Sequence, residues 1–192
     1  MGLNALFCLG ENMNTDALRE FLSDDNLSLH HSYVKNKYSK YSILKKSREE
    51  LNGVKLEDIP RLKIPKEERN EAYSLISDVE SHKCYFNSFD KVKRRCDNIR
   101  RYFGSEERLL YEIIEFGNES CEDFIYIYTQ NGKAEIKSHN TSVAFLKCRP
   151  ILAIDLCEHA YFLDYAFDKD RYLRAAISNL NLEKLDKSMS YT

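Results

Sequence analysis

The segment Asp123–Lys137, with the sequence DFIYIYTQNGKAEIK, constrains the fold more than any other part of the chain. Aromatic and β-branched residues dominate its first half, which favours a β-strand. Asn131 and Gly132 follow, and Asn-Gly is the strongest short signal for a two-residue hairpin turn, because both turn positions need a positive φ. Lys133–Lys137 then supplies the partner strand. A third strand is predicted at Pro150–Asp155, so we expect a three-stranded antiparallel sheet.

The first half of the chain has helical periodicity instead. Ser23 is placed to cap a helix whose first turn holds Asp24 and Asp25, and apolar or aromatic residues recur every three or four positions to about Lys46. A second helix is predicted after Pro65. Its buried face is expected to contain Tyr73, Leu75, Ile76, Val79, His82, Tyr85, Phe86 and Phe89.

Further helices are predicted on both sides of the sheet. The first spans Val92–Phe103 and ends at Gly104, a residue type common just after a helix. Ser105 is placed to cap the next helix, which runs to about Phe116. After the third strand, Glu158–Asn179 is predicted to be helical again.

This order of elements is typical of an α+β protein. We expect an N-terminal helical hairpin domain at residues 1–89 and a C-terminal α/β domain with the short three-stranded antiparallel sheet at residues 90–192. The contact between two such halves is a common location for a cofactor.

Composition argues against several classes of partner. The 29 basic and 31 acidic side chains give a formal charge of -2, which favours neither nucleic acid nor an anionic membrane. No apolar run approaches the roughly 18 residues that span a bilayer. The six cysteines form no CxxC pair, and the start of the sequence lacks the features of a secretory signal. We therefore expect buried free thiols and a cytoplasmic location.

The histidines are the candidates for chemistry. There are five, and three of them lie on apolar helical faces, where a lone histidine is more often a core residue than a ligand. Asp155 and His159 are four positions apart where a strand passes into a helix, so both side chains can point at one centre. Imidazole nitrogens with one carboxylate suit a first-row metal ion.

The residues around these positions resemble the iron/manganese superoxide dismutase family. Asp155–Tyr165 (DLCEHAYFLDY) is similar to the signature D-x-W-E-H-A-Y-Y-x-x-Y. Leu29–Ser32 (LHHS) followed by Tyr38 resembles L-H-H-x-K-H-H-x-x-Y-V, and Ser81–Phe86 (SHKCYF) resembles N-H-x-x-F-W. The ligands that the resemblance implies, for one iron or manganese ion per chain, are His30, His82, Asp155 and His159.

The resemblance implies an activity and an assembly as well. The family dismutes superoxide to dioxygen and hydrogen peroxide, and the tyrosine at the position of Tyr38 lines its substrate funnel. The Glu of its E-H pair hydrogen-bonds a ligand His of the other subunit, so we expect a homodimer through Glu158 and His159.

The chain departs from the family pattern at several positions. It has no tryptophan: the signature Trp is Cys157, and the aromatic residue that ends the second ligand motif is Phe86. The family's gateway His and its partner Tyr are replaced by Val34 and Phe162. The gateway hydrogen bond is therefore lost from both sides, which leaves neither group unpaired.

The residue that hydrogen-bonds metal-bound solvent in the family has several candidates here. Its position on the second helix corresponds to about Asp78. The alternative position after the second strand corresponds to His139 when counted back from Asp155, and to about Thr141 when counted forward along the strands. We favour His139, whose alternative reading is a polar residue on an exposed turn.

Three functions remain open from the sequence. The first is an active dismutase, and the second is a dismutase-like structural or interaction subunit, which the loss of the tryptophans and the gateway pair favours. The third is a hydrolytic zinc site, since the same donors serve zinc chemistry. The four retained ligands favour the first. The donors do not choose between iron and manganese.

Overall fold

A computed structural model describes residues 15–141 and 149–189 of the chain. A helical N-terminal region is followed by a domain with a three-stranded antiparallel sheet and helices, as the sequence predicts. The elements are α1 (Thr15–Leu18), α2 (Asp24–Ser47), α3 (Lys66–Phe86), α4 (Asp97–Phe103), α5 (Glu106–Glu119), β1 (Phe124–Gln130), β2 (Lys133–His139), β3 (Leu152–Asp155), α6 (Phe162–Tyr165), α7 (Lys169–Ile177) and α8 (Leu182–Ser188).

The helices α2 and α3 pack against each other as a hairpin. The predicted start of α2 is confirmed, because the Ser23 hydroxyl accepts a hydrogen bond from the Asn26 N–H. The connection contains two 3₁₀ turns, at Glu49–Leu51 and Leu56–Arg61. A small apolar cluster joins this connection to the helices and contains Tyr41, Leu51, Ile59, Ile64, Ala72, Tyr73 and Leu75.

Helix α4 is shorter than predicted. The expected helix at Val92–Phe103 begins only at Asp97, so the prediction is wrong for the first five residues. Most of that stretch is charged and exposed, and Val92 itself is exposed, so it offers no apolar face to bury. The end of the helix is as predicted: Gly104 has a φ of 88°, and Ser105 caps α5.

The segment after β3 is not one helix. The predicted helix at Glu158–Asn179 is divided into a 3₁₀ turn at Glu158–Ala160, then α6 and α7. Ala166 follows α6 with a φ of 50°, a left-handed conformation that interrupts a helix. The Asp168 side chain then accepts a hydrogen bond from the Arg171 N–H and starts α7.

The sheet has the strand order β2-β1-β3. Asn131 and Gly132 both have positive φ, at 50° and 73°, so the predicted hairpin turn between β1 and β2 is confirmed. In the central strand β1 the residues from Phe124 to Tyr128 are buried on both faces. Phe124 lies opposite His139 on one side and Asp155 on the other.

The main apolar core contains residues from both halves of the chain. The start of α2 is tied to the segment after β3 by the buried Asn26, which donates to the Ala160 carbonyl and accepts from the Leu163 N–H. Asp164 also accepts a hydrogen bond from the Ser23 N–H. The domain boundary between residues 89 and 90 stays a prediction.

The cysteines differ in exposure. Cys96 is buried, Cys84 and Cys157 are half-buried, and Cys121 is exposed, so the expectation of buried thiols is wrong for Cys121. Cys8 and Cys148 lie outside the described residues. Over residues 15–141 and 149–189, none of the helices is long and apolar enough to cross a membrane. The cytoplasmic location stays a prediction.

Candidate metal centre

Four side chains from four separate segments meet between the helical hairpin and the sheet. His30 lies in the second turn of α2, and His82 lies near the end of α3. Asp155 is the last residue of β3, and His159 belongs to the 3₁₀ turn that follows it. One nitrogen or oxygen atom from each side chain lies within 4.8 Å of the others. Such a group could hold a metal ion.

The cluster is buried except at His159. The side chains of His30, His82 and Asp155 are almost completely buried, whereas that of His159 is 21% exposed. The rings of Tyr85 and Phe86 lie about 5 Å from that of His30. An open cleft on the His159 side is lined by residues that include Asp123, Cys157, Glu158, Tyr161, Phe167 and Lys169.

Asp155 Oδ2 is the centre of the group. It lies 3.1 Å from His30 Nε2, 3.3 Å from His82 Nε2 and 3.2 Å from His159 Nε2. His82 Nε2 and His159 Nε2 are 3.1 Å apart. Nevertheless Asp155 Oδ2 and His30 Nε2 are buried with no hydrogen bond of acceptable geometry, because these atoms are close without pointing at each other.

This arrangement fits a bound metal ion. Ligand atoms at about 2.0–2.2 Å from one ion lie roughly 3–4 Å from one another. The distances of 3.1, 3.3 and 3.2 Å from Asp155 Oδ2 and of 3.1 Å between His82 and His159 fall in this range. The second oxygen of Asp155 is already engaged, since Oδ1 accepts a hydrogen bond of 2.9 Å from the Cys157 N–H. Oδ2 therefore stays directed at the three imidazoles. A metal ion would satisfy Asp155 Oδ2 and His30 Nε2, which have no hydrogen bond.

The protonation states follow from burial and from the carboxylates. Burial lowers the pKa of His30 to about 4, although Asp155 opposes the effect. Burial also disfavours the charged form of His82, but the carboxylates of Asp155 and Asp78 raise its pKa to about 9. Burial alone would raise the pKa of Asp155, yet the three adjacent imidazoles hold it well below the usual range. The carboxylate is therefore ionised at neutral pH.

Surrounding groups orient two side chains of the cluster. His82 Nδ1 lies 2.7 Å from the backbone carbonyl oxygen of Asp78, which accepts a hydrogen bond from the Nδ1–H and leaves Nε2 facing the cluster. The backbone carbonyl of Asp155 accepts a hydrogen bond of 2.9 Å from the buried Tyr172 hydroxyl. His82 and Asp155 are thus fixed from the side away from the cluster.

Tyr33 is a residue of the site that the sequence analysis missed. Its ring stacks on that of His159 with centroids 3.9 Å apart and an interplanar angle of 18°. Its hydroxyl donates to Asp78 Oδ2 at 3.3 Å. Tyr33 follows His30 by three positions, and residues at this spacing share a helix face, so the helical periodicity could have identified it.

The two predicted supporting residues lie outside the four-residue group. Tyr38 is partly buried and packs against the main apolar core. His139 is the last residue of β2, and the central strand β1 separates it from Asp155. Its ring faces that of Tyr126 at 6.5 Å. The roles of Tyr38 and His139 stay predictions, whereas Asp78 directly contacts His82.

The positions that depart from the family pattern differ in burial. Val34 is buried in the core, and Phe162 is 41% exposed. The Cys157 thiol lies 3.7 Å from the Asp123 carbonyl oxygen, and burial raises its pKa. A neutral thiol therefore occupies the position of the signature tryptophan.

Residues 83–188 match the family described as iron/manganese superoxide dismutases, C-terminal domain. This match covers more than half of the chain, which therefore belongs to the iron/manganese superoxide dismutase family. Asp155 and His159 fall within the matched segment, and His82 immediately precedes it. No curated protein matches the chain.

The raised pKa of His82 predicts how stability depends on pH in the metal-free protein. A histidine whose pKa rises on folding from about 6.5 to about 9 stabilises the fold fully below pH 6.5, and this contribution disappears as the pH rises through 9. The free energy of unfolding should therefore fall between these pH values. Urea denaturation at several pH values should show a shallower fall in His82→Gln. Equal slopes in the two proteins would contradict the predicted protonation state.

Proposed function

We propose that the chain binds one iron or manganese ion and dismutes superoxide. One observation carries this proposal. Four side chains each direct one potential ligand atom at a common centre, and two of these atoms, Asp155 Oδ2 and His30 Nε2, are buried without a hydrogen bond. Membership of the family supports the choice of a redox metal over zinc. The proposed ligands are His30, His82, Asp155 and His159.

A metal ion bound here would supply the one-electron chemistry that converts two superoxide ions and two protons into dioxygen and hydrogen peroxide. The protein contributes one negative charge and three imidazoles, which suits an ion that changes between the divalent and trivalent states. The aromatic rings of Tyr85, Phe86 and Phe124 exclude bulk water from the buried side. In the single chain a cleft beside His159 reaches solvent.

The metal assignment is tested by substitutions at His30 and Asp155, with the neighbouring His31 as the control. His30→Ala and Asp155→Ala should reduce the metal content from about one ion per chain to near zero, because each removes a ligand. His31→Ala is the matched control, since His31 is adjacent in sequence but lies outside the four-residue group. Elemental analysis of the purified proteins gives the metal content, and circular dichroism checks the fold. An Asp155→Ala protein with its full metal content would overturn the assignment.

The activity is tested by pulse radiolysis of the iron-loaded and manganese-loaded protein. We expect superoxide to decay faster than it does freely, and more slowly than with a family member that has the gateway His and Tyr. Val34 and Phe162 cannot relay protons, so the step that protonates peroxide should slow most. No acceleration with either metal at full occupancy would favour the structural or interaction subunit instead.

We also propose that two copies of the chain form a dimer at the segment after β3. Glu158 is exposed and adjacent to His159. The nearby side chains of Phe162, Leu163 and Phe167 are 41%, 54% and 83% exposed, an unusual concentration of apolar surface on a monomer. A second copy would cover this surface and place each Glu158 near the other metal centre.

The dimer is tested by light scattering at micromolar concentration. Glu158→Ala should weaken both dimerisation and metal binding, because it removes a hydrogen bond between the subunits at a ligand. Phe167→Ser should weaken dimerisation through the loss of apolar contact. Glu71→Ala removes an exposed carboxylate from α3 and should change neither property. A strictly monomeric unmodified protein would contradict the proposal.

A further inference from the structure

A second buried carboxylate lies behind the metal ligand His82. Asp78 is 5% exposed and precedes His82 by one helical turn of α3. Its Oδ1 lies 3.1 Å from His82 Nδ1, and its Oδ2 lies 2.8 Å from Lys37 Nζ. The Tyr33 hydroxyl donates to the same Oδ2. The two oxygens of Asp78 therefore face a ligand on one side and a cation on the other.

Lys37 connects this pair to the protein surface. Its side chain is 32% exposed, and its ammonium group lies 4.8 Å from the centre of the Tyr33 ring. Tyr33 and Lys37 are four positions apart on α2, so both face Asp78 on α3. A buried carboxylate is costly without a partner, and the ammonium of Lys37 offsets its charge.

We propose that Asp78 and Lys37 are positioning residues that act together through His82 and set the reduction potential of the metal. The inference rests on the proposed function, since it needs a redox metal at the site. A carboxylate behind a ligand imidazole makes that ligand more basic and favours the higher oxidation state of the metal. The ammonium of Lys37 opposes this effect.

The geometry separates the charge of Asp78 from its role in orienting His82. His82 Nδ1 lies 2.7 Å from the backbone carbonyl of Asp78, and that carbonyl remains when the side chain is changed. Asp78→Asn therefore removes the charge while the ring of His82 keeps its hydrogen bond and orientation. A change in potential in this variant reports the charge and not a displaced ligand.

The experiment measures the midpoint potential of the iron-loaded full chain by redox titration. Asp78→Asn should shift it to more positive values, and Lys37→Met should shift it to more negative values. In the double variant the two shifts should largely cancel, because the two charges that are removed are opposite and lie side by side. Lys37→Arg keeps the charge and should keep the potential of the unmodified chain, which controls for any loss of packing in Lys37→Met.

Matched controls lie on the same two helices. Glu80→Gln removes one negative charge from α3 at a residue that pairs with Lys83, and Lys35→Met removes one positive charge from the exposed side of α2. Neither should shift the potential as the variants at Asp78 and Lys37 do. A shift in potential at Asp78 and Lys37 without a shift in the controls would show that the effect comes from the contact with His82. A change in the net charge of the protein would shift the potential of the controls as well.

Iron affinity, measured by competition with a chelator, is a second readout. Asp78→Asn should bind iron about 10-fold more weakly, the lower end of the range for a residue that supports a ligand. Lys37→Met should not weaken binding. Full iron occupancy with unshifted potentials in all variants would overturn this inference and leave the proposed function intact. An unmodified chain that binds no iron or manganese would overturn both.

Discussion

The carboxylate of Asp155 is the interaction on which the arrangement of the molecule depends. It is fully buried at the end of the edge strand β3, and its Oδ2 faces imidazoles from two helices and a 3₁₀ turn. A buried negative charge is tolerated only with compensating partners. The packing of α2 and α3 against the sheet brings two of those partners, and the turn after β3 brings the third. The fold is thereby organised around one charged atom.

The residues that support this centre come from local structure rather than from long loops. Asp78 and His82 share a face of α3, as Tyr33 and Lys37 share a face of α2, because residues three or four positions apart are neighbours on a helix. The packing of the two helices therefore brings four polar side chains together at once. Asn26 completes the arrangement by fixing the start of α2 to the turn that contains His159.

Much of the fold could be predicted from the sequence, because caps and turns are local. Ser23, Ser105 and the Asn131-Gly132 turn lie as their residue types indicate. The prediction of a helix around Val92 was wrong, because the charged residues there have helical propensity but no apolar face to bury. The break at Ala166 could not be anticipated, since alanine favours helix and only the tertiary packing holds it in a left-handed conformation.

The candidate site was predictable only where residues could be compared with a family pattern. The proposed outer residue His139 follows from counting along the chain, and counting does not register that the central strand β1 lies between His139 and Asp155. Its role stays a prediction. Asp78 needed only the helical spacing to His82, yet its charged partner Lys37 lies on another helix and is visible only in three dimensions. Contacts between elements are the part of a site that sequence spacing leaves undetermined.

The wide separation of His30 from His159 along the chain affects when a metal ion can be acquired. Each half supplies two of the four proposed ligands, so neither half alone offers the complete set. An ion would bind with high affinity only after the halves have docked, so metal capture would be a late step of folding and would not initiate it. Once bound, the ion would fasten the two halves together, and slow opening of their contact would limit its exchange.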